Sequence, residues 1–120
     1  MDSEANPLRL VAESQDENRR QRRADLIREY YDRVAPERDK WISRNAYFHD
    51  EDSRFARFLV PPGLKVLDLG CGTGQMLANL KPCQGVGIDI SAKMVDAARR
   101  NYAADRHPNL SFEVGDIEEP

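Results

Sequence analysis

Three glycines at alternate positions, Gly70, Gly72 and Gly74, follow an acid in the run Val66-Leu67-Asp68-Leu69-Gly70-Cys71-Gly72-Thr73-Gly74. Glycine lacks a Cβ and tolerates positive φ, so a ligand can press against the backbone of such a loop. A helix starting at the end of the loop would favour an anionic group there. The competing use of the same residues is a tight strand-to-helix turn that binds nothing. The dinucleotide fingerprint GxGxxG requires a third glycine at position 75, where the chain has Gln75. Two further acids, Asp89 and Asp116, recur at or just after the ends of later apolar runs. Gathering three acids on one crevice needs a compensating partner, because buried negative charge is costly. A hydroxyl-rich, amine-bearing cationic molecule is such a partner.

The elements that would position these residues follow from periodicity. Residues 1–18 are polar and carry little pattern, and read as a mobile tail. A helical lead-in is expected over 19–60. Leu26, Ile27, Tyr30, Tyr31 and Val34 form one apolar stripe, with Pro36 closing that helix. Residues 41–49 show no clear period. N-caps among residues 50–53 precede a short helix with Phe55, Phe58 and Leu59 on one face, stopped by Pro61-Pro62-Gly63. Over 61–120 the pattern is β-α-β-α-β. Strands are expected at 65–69, 85–90 and 110–114, with helices built on Met76, Leu77 and Leu80, and on Met94, Val95, Ala98 and Tyr102 behind Ser91 as cap. The strands lie too far apart for hairpins. They should run parallel with right-handed crossovers, as half of a doubly wound sheet whose ligand crevice lies at the strands' carboxyl ends.

The segments VLDLGCGTG, GVGIDIS and FEVGDIEE resemble the first three sequence blocks of class I S-adenosylmethionine-dependent methyltransferases. The resemblance spans about residues 60–118. Upstream, YYDRVAPERDKW and RFARFLVPPG are similar to lead-in helices of the small-molecule subset, and the whole is similar to methyltransferase modules fused to a family 2 glycosyltransferase domain. The resemblance implies a Rossmann-like α/β half-domain and a function in methyl transfer from S-adenosylmethionine to a small-molecule acceptor. Gly70, Gly72 and Gly74 would let the backbone approach the methionine part of the cofactor. Cys71 would fill the same loop as a small residue, although a nearby helix N-terminus can also lower a thiol pKa. Asp68 would face the amino group, and Asp89 both ribose hydroxyls. Ile90 and Ile117 would clamp the adenine, and Asp116 would accept from its amino group. Plainer uses stay open: Asp89 as a helix cap, Asp116 as a turn residue, Ile90 and Ile117 as core. Tyr30, Tyr31, Tyr47 and Phe48 would pack, or else lid the cofactor. No catalytic base stands out. A sulfonium methyl is already electrophilic, so positioning and exclusion of water are the main demands.

Composition narrows the class. Apolar residues are 40% of the 120 and charged residues 32%, enough for a core and unlike a disordered or collagen-like chain. A formal charge of −3, with neither half a basic arm, gives no footprint for nucleic acid. No apolar run approaches a membrane span. Cys71 and Cys83 form no disulfide framework, and with His49 and His107 they suggest no metal site, so the chain reads as cytoplasmic. The family's fourth and later strands lie beyond this pattern. The sequence therefore reads as the cofactor half of a longer domain, stopped before the fourth strand, with an open sheet edge that invites self-association. Two other readings stand beside the enzyme: a non-catalytic module binding S-adenosylmethionine or S-adenosylhomocysteine, and, less favoured, an NAD-type domain.

Overall fold

Short β-branched and leucine-rich runs bounded by glycine and proline form three strands in the computed structural model, which describes residues 6–118. They are β1 (Lys65–Leu69), β2 (Gln84–Asp89) and β3 (Leu110–Val114), all parallel, with β2 in the middle. Helix α3 (Gln75–Asn79) joins the first pair and α4 (Ala92–Asn101) the second. Ser91 caps α4, its hydroxyl accepting the Met94 amide. The α/β class, the parallel order and the strand positions agree with the sequence pattern to within one residue.

The register puts Val66, Asp68, Gly85, Gly87, Leu110 and Phe112 on one sheet face. Against that face the helices bury a core of Cys71, Leu77, Val95, Ala98, Leu110 and Phe112. The other face carries Leu67 and Leu69, both exposed, beside half-buried Val86 and Ile88. Arg99, near the end of α4, donates through Nε and a terminal nitrogen to the Phe112 carbonyl at 3.0 and 2.6 Å, tying helix to strand.

The N-terminal region departs from expectation. Helix α1 runs over Pro7–Arg44, so residues 7–18 are helical rather than a structureless tail; residues 1–5 of that segment lie outside the described residues. Asn6 caps the helix and Pro7 occupies its first turn, a position where a missing N–H costs nothing. Pro36 lies inside α1 instead of ending it. The lost backbone bond is offset by anchors on both sides of the proline. Asp32 accepts from the Ser91 hydroxyl at 2.5 Å and the Lys93 amide at 3.4 Å, at the N-terminus of α4. Asp39 accepts from Gln75 Nε2 at 2.8 Å and Asn101 Nδ2 at 3.0 Å. The helix ends only at Asn45, whose amide and side chain both return to Trp41 O.

Helix α2 (Ala46–Leu59) starts before the expected caps and turns its polar side inward. Ser53 is buried and accepts Asn79 Nδ2 at 3.1 Å, while Phe55, Phe58 and Leu59 are exposed. Among the described residues no helix is long and apolar enough to cross a membrane.

Asp39 is the tie between α1 and the glycine loop. Burial opposes its ionisation. Hydrogen bonds from Asn101, Gln75 and Thr73, together with the charge of Arg100, outweigh burial and hold the carboxyl below its ordinary value. A lowered carboxyl stabilises the fold above its unfolded pKa and loses that contribution as pH falls through the folded value. Asp39→Ala is expected to weaken docking of α1 by about 1.5–3 kcal/mol, the scale of hydrogen bonds to a charged group. Amide exchange in residues 32–44 should then rise roughly tenfold or more while the strands stay protected, as hydrogen-exchange mass spectrometry would show.

Candidate functional site

The carboxyl ends of the strands and the inner side of α1 enclose a cleft of about 810 Å3. Its floor comes from the loops after the strands: Gly70 and Gly72, then Asp89 and Ile90, then Gly115, Asp116 and Ile117. Its roof is α1, contributing Ile27, Tyr30, Tyr31, Val34, Arg38 and Trp41.

Asp89 organises the floor. One carboxylate oxygen accepts the Gly72 amide at 2.9 Å, and the other accepts the Ser91 amide at 3.0 Å. Each oxygen keeps a further lone pair for a ligand. Gly72 reaches this bond with φ at +54°, a conformation that disfavours a side chain, and a Cβ built there would meet nothing within 4 Å. The loop backbone is therefore bare on its open side. Gly74 differs: its φ is +94°, but a Cβ there would strike Phe112 and Tyr102 at 3.0 Å. This third glycine faces the core and does not line the cleft. The alternate spacing in sequence conceals that division.

Asp68 and Cys71 also stay off the cleft wall. Burial and then the charge of Asp89 raise the Asp68 carboxyl above its ordinary value. The Cys71 side chain turns into the core, close enough that a Cβ on Gly87 would lie 2.8 Å from its own Cβ. A lowered thiol pKa is ruled out by this placement: burial, with Asp89 and Asp68 nearby, pushes the thiol up to about 12.

The remaining expectations divide by position. Asp89, Ile90, Asp116 and Ile117 all line the cleft. Ile117 is 65% exposed, so it is not a core residue. Asp116 accepts the Glu118 amide at 2.9 Å, so its turn role and its place in the cleft coexist. Tyr30 and Tyr31 form part of the roof, edge to face at 5.2 Å, whereas Tyr47 and Phe48 lie exposed on α2. His49 stands in α2 beside Trp41 and His107 beside Tyr102, and neither lines the cleft. Sequence reasoning missed Arg38 and Trp41. Their signal was present, since the stripe of Ile27, Tyr31 and Val34 continues in register to both; Pro36 obscured it.

Residues 61–120 match a family model described as a methyltransferase domain. Trans-aconitate 2-methyltransferase of Deinococcus radiodurans is 39% identical over 84 residues, covering 61% of this chain and 31% of that protein. The methyltransferase seen in complex with the Haloferax volcanii Trm112 methyltransferase activator aligns at 32% identity and a TM-score of 0.58, covering 75% of this chain and 40% of its own. Magnesium protoporphyrin IX methyltransferase of Synechocystis PCC 6803, with bound S-adenosylmethionine, shares the fold at 21% identity and a TM-score of 0.65, over 81% of this chain and 56% of its own. The chain spans 28% and 31% of the length of two curated relatives that it matches.

The contrast between the two cysteines gives a direct check. Cys71 is buried and Cys83 exposed. A thiol-reactive chromophore at pH 8 should label one thiol per native chain, at Cys83, and two after denaturation. Because the Cys71 pKa is raised, its contribution to stability is present below the unfolded thiol value and declines as pH rises toward 12.

Proposed function

The chain belongs to the class I S-adenosylmethionine-dependent methyltransferases, and from that premise we propose that its cleft binds S-adenosylmethionine for methyl transfer to a small-molecule acceptor. The observation that carries this reading is the Asp89 carboxylate, fixed by two backbone amides at the end of the central strand and facing the cleft. Two oxygens held in one plane, each with a lone pair left, suit the vicinal hydroxyls of a ribose. The bare backbone at Gly70 and Gly72 would receive the amino-acid end. Ile90 and Ile117 offer apolar surfaces for the adenine, with Asp116 beside them to accept from its amino group. Asp68 and Gly74 would act from beneath the loop, shaping its charge and its turn, and Cys71 would act through packing alone.

When bound, the cofactor supplies an electrophilic sulfonium methyl. This chain's residues bind and orient it, and the α1 roof excludes water from one side of the cleft. The acids of the floor supply negative charge opposite a sulfonium and an ammonium. A small-molecule acceptor is supported by the roof, which narrows access to the cleft, and by trans-aconitate 2-methyltransferase, a relative named for a small organic acid. Two unpaired cysteines fit a reducing, cytoplasmic setting.

Isothermal titration of the full chain with S-adenosylhomocysteine is the test. Asp89→Ala should weaken binding by about 1.5–3 kcal/mol, roughly 10- to 150-fold. An unchanged dissociation constant would remove Asp89 from the site. Tight NADH binding by the wild type would overturn the choice of cofactor.

A further inference from the structure

Helix α2 is amphipathic the wrong way round. Its buried side is polar, held against α3 where Ser53 accepts Asn79 Nδ2 at 3.1 Å. Its outward side carries Phe48, Phe55, Phe58 and Leu59, at the spacings of seven, three and four that line one helical face, with Tyr47 at the edge. Phe58 is 83% exposed. With a full aromatic side chain covering about 150–250 Å2, these five residues leave on the order of 600 Å2 of apolar surface in water. The largest apolar patch of an ordinary monomer is about 300–600 Å2, and patches at or above that size mark contact surfaces. None of the five lines the cleft, so the cleft's ligands do not account for them.

Charge along α2 selects what fits there. The acids Asp50, Glu51 and Asp52 fall in its first half and Arg54 and Arg57 in its second, all exposed. Glu51 and Arg54 pair within the helix at 3.3 Å; among the described residues Asp50, Asp52 and Arg57 join no salt bridge. A parallel copy of this helix would set like charges side by side. An antiparallel copy sets acids beside arginines and opposes the two helix dipoles. A two-fold axis through the middle of the helix also brings Phe48 level with the second copy's Leu59, and Asp50 level with its Arg57. The face is thus its own complement. We propose that α2 is the interface of a two-fold homodimer, packed antiparallel through Phe48, Phe55, Phe58 and Leu59. A stable interface buries about 800 Å2 on each partner; the aromatic patch supplies most of that and its charged border the rest.

Sedimentation velocity of the full chain across a concentration series is the test. The wild type should form a concentration-dependent dimer. Phe55→Ser or Phe58→Ser should weaken it roughly tenfold or more, as loss of an interface anchor does, with circular dichroism unchanged because both rings are exposed. Leu67→Lys, on the open face of the sheet, should leave the dimer intact. Charge pairing has its own readout. Arg54→Glu with Arg57→Glu makes the helix acidic, and Asp50→Lys with Asp52→Lys makes it basic. Each variant should dimerise poorly alone, and the two mixed should associate. A wild type that stays monomeric at every concentration overturns the proposal. So does a dimer that Leu67→Lys dissociates and the α2 substitutions do not, or a pair of charge variants that each dimerise as well alone as mixed.

Discussion

The Asp89 carboxylate is the joint on which the cleft depends. It accepts one amide from the glycine loop after β1 and one from the start of α4. A single side chain at the end of the central strand thereby fixes the segments that follow two neighbouring strands. A parallel sheet leaves these segments unpaired with each other, because each departs toward its own helix. A side chain that bridges them replaces the missing backbone ladder. The same bridge holds the carboxylate in one orientation, which is what a ligand site requires of its polar groups.

Charge near this joint is arranged in depth. Asp68 lies under the loop with its carboxyl raised by burial and by Asp89. Cys71 lies deeper still, a neutral thiol that packs against Gly87. Neither group is exposed to the cleft wall, yet both respond to the same acidic field. Negative charge concentrated at strand ends would destabilise an empty apolar crevice, and a cationic, donor-rich ligand relieves it. Asp32 and Asp39 of α1 show the opposite solution, with carboxylates placed beside helix amides or amide side chains of α3 and α4.

Those two acids also explain how α1 becomes the roof. An interior proline costs about 3 kcal/mol in an isolated helix. Here the helix continues through Pro36 because both flanks are bonded to the sheet half. Continuation past the proline is what brings Arg38 and Trp41 into the roof of the cleft.

The sequence alone determined the sheet half. Glycine at alternate positions, acids at strand ends and apolar runs of strand length are local signals, and strands, order of elements and the cleft floor follow from local geometry. Gly70, Gly72, Asp89 and Asp116 were legible in that way, whereas Ile90 and Ile117 were pointed to by the family resemblance. Only the tertiary structure decided which glycine faces the cleft and which the core, because both need positive φ and differ only in what lies across from them. It also decided that Phe55, Phe58 and Leu59 of α2 stay outside. Helical spacing shows that a face is apolar, but burial depends on what another element presents to it, here Asn79 reaching for Ser53. The helical run through Pro36 was settled likewise: propensity ends a helix at proline, and the bonds that keep it intact come from residues about 40 to 60 positions away in the chain.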